Sequence, residues 1–157
     1  MDRNLVNTRT TSRPMRWLYL TTTFLLVLTG FGQMPIFKRY YVADIPGLGW
    51  LAEFFVTHYI HYLGAIVLLA LAAYMVTDHL ILKRNSKRLT VSGFVRTAVL
   101  SGILVSGALL VMRNLTGSNS APGFIIFMDL THLGLVMLFL LVSLYCLIGK
   151  KQWTSER

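Results

Sequence analysis

Glu53-Phe-Phe-Val-Thr-His58-Tyr-Ile-His61-Tyr-Leu-Gly64 opens an apolar run that continues to Met75 and closes on Thr77-Asp78-His79, so three of the chain's four histidines share one segment. A hydrophobic run long enough to cross a bilayer seldom carries imidazoles, because a polar group in hydrocarbon costs free energy unless a partner satisfies it. The fourth histidine, His132, lies in the last apolar run. Fold and function both turn on how these four rings are used.

The whole chain is of one character with that stretch. Its 157 residues are 55% hydrophobic and 13% charged, too apolar for an ordinary soluble domain and short for two, which predicts a single integral membrane domain. The net charge of +9 would suggest nucleic acid in a soluble protein. Here the basic residues flank apolar runs, a pattern set by membrane topology, so no nucleic-acid partner is expected. A single cysteine, Cys146, excludes an intrachain disulfide and any all-cysteine metal site. No small-residue cleavage site follows the first apolar run, which reads as a retained helix.

Apolar runs predict four transmembrane helices, over about residues 16–33, 51–82, 93–112 and 124–148. Residues 1–15 read as a polar arm. Pro35, Lys38, Arg39, Asp44, Pro46 and Gly47 make a loop after the first span, with Tyr40, Tyr41 and Trp50 suited to headgroup level. Lys83, Arg84, Lys87 and Arg88 form a short basic hairpin, and Arg96 just beyond it is expected to snorkel toward the interface. A polar turn runs from Arg113 to Gly123, and Lys150, Lys151 and Arg157 end the chain. The amino-terminal arm, the hairpin with Arg96 and the tail hold four, five and three Lys or Arg residues, against three in the two opposite loops. The positive-inside rule then gives an all-α, up-down-up-down four-helix bundle with both termini in the cytoplasm. No internal repeat beyond the four spans is seen.

On that topology His61 and His132 lie at matched depth, roughly 13 to 15 Å below the outer surface at helical rise. His58 is one turn shallower. His79 is eighteen residues beyond His61, about 27 Å along the axis, so one small cofactor cannot touch both. Neighbours on one helix, His58 and His61 cannot be opposite axial ligands of one planar ring. A ligand from the second helix must therefore pair with His132, and two imidazoles at one depth suit six-coordinate haem iron. Gly64, Gly134 and the helix-three group Gly102, Ser106 and Gly107 offer a small-residue surface for a flat macrocycle, or equally for close helix packing. Each ligand's other ring nitrogen needs an acceptor. The carbonyls one turn earlier, of Thr57 for His61 and Met128 for His132, are the expected partners. Interhelical hydrogen bonding, proton relay and ligation of another metal remain open uses of the same histidines.

The pattern resembles the four-helix cytochrome b subunits that anchor respiratory formate dehydrogenases and nickel-iron hydrogenases. Its marks are Arg16-Trp17-Leu18-Tyr19 with Leu28-Thr29-Gly30 in the first helix, His61-Tyr62-Leu63-Gly64 in the second and Asp129-Leu130-Thr131-His132 in the fourth. The resemblance implies an outer haem b held by His61 and His132. It does not extend to the inner haem of that family, because Tyr19 and Cys146 stand where its histidines would be. A second haem would need His79 with Cys146, Met75, Met15 or a partner's ligand, and is not expected.

The implied activity is electron transfer between a redox partner, an iron-sulfur or cytochrome c subunit, and the quinone pool of a bacterial or archaeal cytoplasmic membrane. Lys38, Arg39 and Arg113 are candidates to pair with haem propionates or an acidic partner, against an ordinary solvated role. His58 could meet a propionate or a quinone carbonyl, or stand in for His61 as ligand. Glu53 and Asp44 are candidate proton carriers. A haem-free membrane anchor or assembly subunit is the competing expectation, and a small proton or metal transporter using His58, His61 and His132 a third.

Overall fold

The computed structural model describes residues 13–34, 44–83, 87–116 and 121–156. These form four long helices, α1 (Arg13–Gly32), α2 (Phe54–Asp78), α3 (Val91–Thr116) and α4 (Pro122–Ile148). The helices α2, α3 and α4 are each long and apolar enough to cross a membrane. By itself α1 falls short. Only residues 17–32 separate Arg16 from its end, about 24 Å of helix against the ~30 Å of a hydrocarbon core. Four of those residues are threonines, Thr21, Thr22, Thr23 and Thr29. Two of them settle into the apolar helix by bonding back one turn, Thr21 Oγ1 to the Trp17 carbonyl at 2.9 Å and Thr29 Oγ1 to that of Leu25 at 2.8 Å.

The second helix is not the single rod expected over residues 51–82. Gly49–Ala52 form a 3-10 turn, and Glu53 is extended at φ −81° and ψ 95°, so regular helix starts only at Phe54. Past Asp78 the winding loosens into a π-helical turn, His79–Lys83. In contrast, α3 runs on to Thr116 and α4 starts at Pro122, whose fixed φ and missing N–H suit a first helical turn. Much of the expected polar turn from Arg113 to Gly123 is therefore helix. Half-buried Arg113 lies in the last turn of α3, where a cation is favoured by the helix dipole. The arm residues 1–12 lie outside the described residues, as do Pro35, Lys38, Arg39, Tyr40, Tyr41 and Arg84.

The chain groups into two compact units, one ending at Thr77 and the other beginning at Asp78. In the first, contacts climb α1 as they descend α2: Leu26 meets Gly64, Thr29 meets His61, and Gly32 meets Thr57. In the second, α3 and α4 pair likewise, with Gly102 against Leu135 and Ser106 against His132. Apolar side chains such as Phe55, Ile66, Val105, Phe127 and Leu141 are exposed. Helices apolar on faces they do not bury suit contact with membrane lipid.

The second unit carries a feature that an all-α reading lacks. Lys87–Leu89 (β1) pairs antiparallel with Thr154–Glu156 (β2), Arg88 opposite Ser155, so the tail turns back onto the start of α3. Thr90 N–H donates to the Trp153 carbonyl at 3.1 Å, and the Thr90 and Ser92 hydroxyls donate to the Gln152 carbonyl at 2.7 and 3.0 Å. Arg96 does not snorkel outward as expected and is only 6% exposed. Its Nε donates to the Ser92 carbonyl at 3.1 Å, its Nη2 to that of Lys151 at 3.3 Å, and its guanidinium lies 4.2 Å from the Trp153 ring centre. The returning tail offers the planar fork one carbonyl and an aromatic face, and α3 itself offers a second carbonyl, which together satisfy the charge without bulk water. Lys151 Nζ donates to Tyr145 Oη at 3.0 Å, and that bond holds its pKa above the ordinary lysine value.

Candidate functional site

Helical rise places His61, seven residues after the start of α2, about 10 Å along it, and His132, ten residues into α4, about 15 Å along that helix. Both rings are half-buried, each against the helix preceding its own.

In the first unit His61 Nδ1 lies 2.9 Å from the hydroxyl of Thr29, a residue with no exposed surface. The next residue, Gly30, leaves room for the ring, since a Cβ there would stand 3.4 Å from His61 Cε1. In the second unit His132 Nδ1 lies 2.8 Å from the hydroxyl of buried Ser106, and a Cβ on Gly107 would stand 3.3 Å from His132 Cε1. In each unit, then, a hydroxyl holds Nδ1 and the glycine after it faces the ring edge. Each of these hydroxyl partners is a side chain on the neighbouring helix. A packed antiparallel helix pair brings a side-chain oxygen to the height of the ring.

Histidine 58 is held differently. Its ring stacks on Phe54 at 5.2 Å between centres and leans on Tyr62 at 4.3 Å. His58 Nδ1 lies 3.2 Å from Gln33 Oε1, while the buried Gln33 Nε2 has no hydrogen-bond partner among the described residues. No glycine approaches this ring among the described residues.

The glycines named from sequence divide. Gly107 faces His132, Gly64 packs on Leu26 with 3.0 Å between its added Cβ and Leu26 Cδ2, Gly102 packs on Leu135, and Gly134 opens on free space. Tyr19 is half-buried on α1, Cys146 is a buried free thiol on α4, and His79 is half-buried in the π turn. Asp44 and Glu53 are exposed. Among the described residues no group of three or more His, Cys, Asp or Glu converges as a metal site built from protein ligands alone would need.

Sequence reasoning marked Thr29 and Ser106 as a motif residue and a small residue and missed what they do. The available signal was a hydroxyl residue followed by glycine, Thr29-Gly30 and Ser106-Gly107, once in each helix that precedes a histidine helix. No protein-family model, curated protein or solved structure matches this chain. The functional reading rests on the residues themselves.

Proposed function

We propose that the chain is a haem b-carrying electron-transfer subunit of a respiratory membrane oxidoreductase, whose haem would be held by His61 and His132. The observation that carries this reading is the shared surrounding of the two histidines, each with Nδ1 at a hydroxyl and a glycine against Cε1. Axial histidines of haem need one ring nitrogen fixed by the protein and the other turned to the iron. The residues present fit that demand, and His58, held by an amide and two aromatic rings, does not share the pattern.

The haem would supply a one-electron step between ferric and ferrous iron. The chain's own residues hold the ligands in orientation and keep water from them with apolar helix surface. His58 and Arg113 are the groups proposed to meet a propionate or a quinone carbonyl. The arrangement proposed is four helices crossing up-down-up-down, α1 lying on α2, with both termini in the cytoplasm of a bacterial or archaeal cell. The distribution of Lys and Arg supports it. A partner subunit supplies or accepts the electrons, and the quinone pool is the other terminus.

A second reading is favoured by the same bonds. Histidine-to-hydroxyl contacts can also hold helices together in a haem-free anchor. An absorption spectrum of the purified, dithionite-reduced protein separates the two. A b-type α band in the wild type, lost in both His61→Ala and His132→Ala and kept in His58→Ala, is the expected result. A colourless wild type, or a band that survives either of the first two substitutions, ends the haem proposal as stated.

A further inference from the structure

Each hydroxyl that meets a histidine also faces a carbonyl on its own helix. Thr29 Oγ1 is 2.8 Å from the Leu25 carbonyl oxygen, and Ser106 Oγ is 3.1 Å from that of Ile103. Where such a contact is a hydrogen bond, its proton is the hydroxyl's own, since a carbonyl has none to give. With that proton directed at the carbonyl, the hydroxyl offers lone pairs to the ring nitrogen 2.9 or 2.8 Å away, and that nitrogen is the donor. A neutral imidazole that donates from Nδ1 carries its lone pair on Nε2.

From this geometry we infer that Thr29 and Ser106 are positioning residues that lock His61 and His132 in the Nδ1–H tautomer, each presenting the Nε2 lone pair to an electron-poor metal. As far as the metal is concerned, the inference rests on the haem reading above. The two locks are independent. They sit in separate units, at sequence separations of 32 and 26 residues, and use different hydroxyl residues. Their agreement is what a ligand requirement leaves behind and what generic helix packing does not call for, because packing is indifferent to which ring nitrogen bears the proton. Donation of the hydroxyl proton to a carbonyl makes its oxygen a better acceptor. Such an acceptor makes imidazole more basic toward iron, stabilises the ferric state and lowers the midpoint potential.

The test pairs isosteric with chemically conservative changes. Thr29→Val keeps the shape and loses the hydroxyl, while Thr29→Ser keeps the hydroxyl and loses the methyl. Ser106→Ala and Ser106→Thr do the same in the second unit. The midpoint potential is expected to rise in Thr29→Val and Ser106→Ala, with haem retention weakened about 10- to 100-fold. Wild-type values are expected in Thr29→Ser and Ser106→Thr. Wild-type potentials in Thr29→Val and Ser106→Ala, or a shift confined to Thr29→Ser, would assign these side chains to packing and overturn the inference. Histidine 15N spectra of the full chain read the tautomer whether or not haem is bound. Nδ1–H forms at positions 61 and 132 that vanish in the Val and Ala variants support the lock, and Nε2–H forms in the wild type overturn it. A colourless wild type showing the Nδ1–H forms would end the haem reading and leave the lock standing.

Discussion

The two units solve one problem identically and another in opposite ways. Around their histidines they converge on a hydroxyl, a glycine and a ring, though a 3-10 turn precedes the His61 helix and Pro122 opens the His132 helix. At their ends they diverge. The second unit is closed by a folded-back tail with a buried arginine, a strand pair and several side-chain bonds to carbonyls. In the first, the side-chain bond that joins the two helices at that end among the described residues is an imidazole-to-amide contact between His58 and Gln33. What repeats despite different helix starts reports a chemical requirement of the histidines. What differs reports how each helix pair holds its own end together.

The divergent feature should show the largest stability effect. A methyl group on Gly93 would run into the Trp153 carbonyl, a backbone atom that cannot move without the strand that follows it. Gly93→Ala is expected to push the tail off α3 and to cost about 2 to 3 kcal/mol. Amide exchange at Thr154–Glu156 reads this directly, as fast exchange where the wild type is protected. If those amides stay protected in Gly93→Ala, the tail is not seated against that glycine. A tail held only by its strand pair would also answer differently from one held by the arginine beneath it. Arg96→Ala removes two hydrogen bonds to carbonyls and the contact with Trp153, and should cost about 1 to 2 kcal/mol. Arg96→Lys should recover little, since an ammonium lacks the planar fork. Thermal melting in detergent together with protease sensitivity of the tail measures both. Full recovery by lysine would mean that charge alone matters there.

The sequence made the helices legible and the clamp illegible, for physical reasons. Long apolar runs with basic flanks identify α2, α3 and α4 almost on their own, because nothing but hydrocarbon rewards such runs. The first helix is the least legible of the four, because its apolar run is broken by threonines and ends at Gly32. Arg96 looked like a snorkelling cation because its carbonyl partners, at Ser92 and Lys151, include one that sits 55 positions away. Short strands such as Lys87–Leu89 carry no period to detect. At the site, histidine positions were visible and their partners were not. Hydroxyl–glycine pairs acquire meaning only when another helix brings a ring against them.

The same distinction gives the smallest prediction and the sharpest discrimination among glycines that sequence treated alike. A Cβ on Gly134 would meet nothing within 4 Å, whereas one on Gly107 would press the Cε1 edge of His132 at 3.3 Å. Alanine also favours helix over glycine by roughly 0.5 to 1 kcal/mol. Gly134→Ala should therefore leave melting temperature unchanged or raise it by a few degrees, with the spectrum of position 132 untouched. Gly107→Ala gains the same helical preference but must turn the ring by a few tenths of an ångström, lengthening the bond from Nδ1 to the Ser106 hydroxyl. Its expected signature is near-wild-type melting with a shifted histidine 15N resonance, a separation of stability from ring placement that Gly134→Ala cannot produce. A shift of the ring signal in Gly134→Ala as large as that in Gly107→Ala would mean that the glycine beside the hydroxyl has no special part in seating the imidazole.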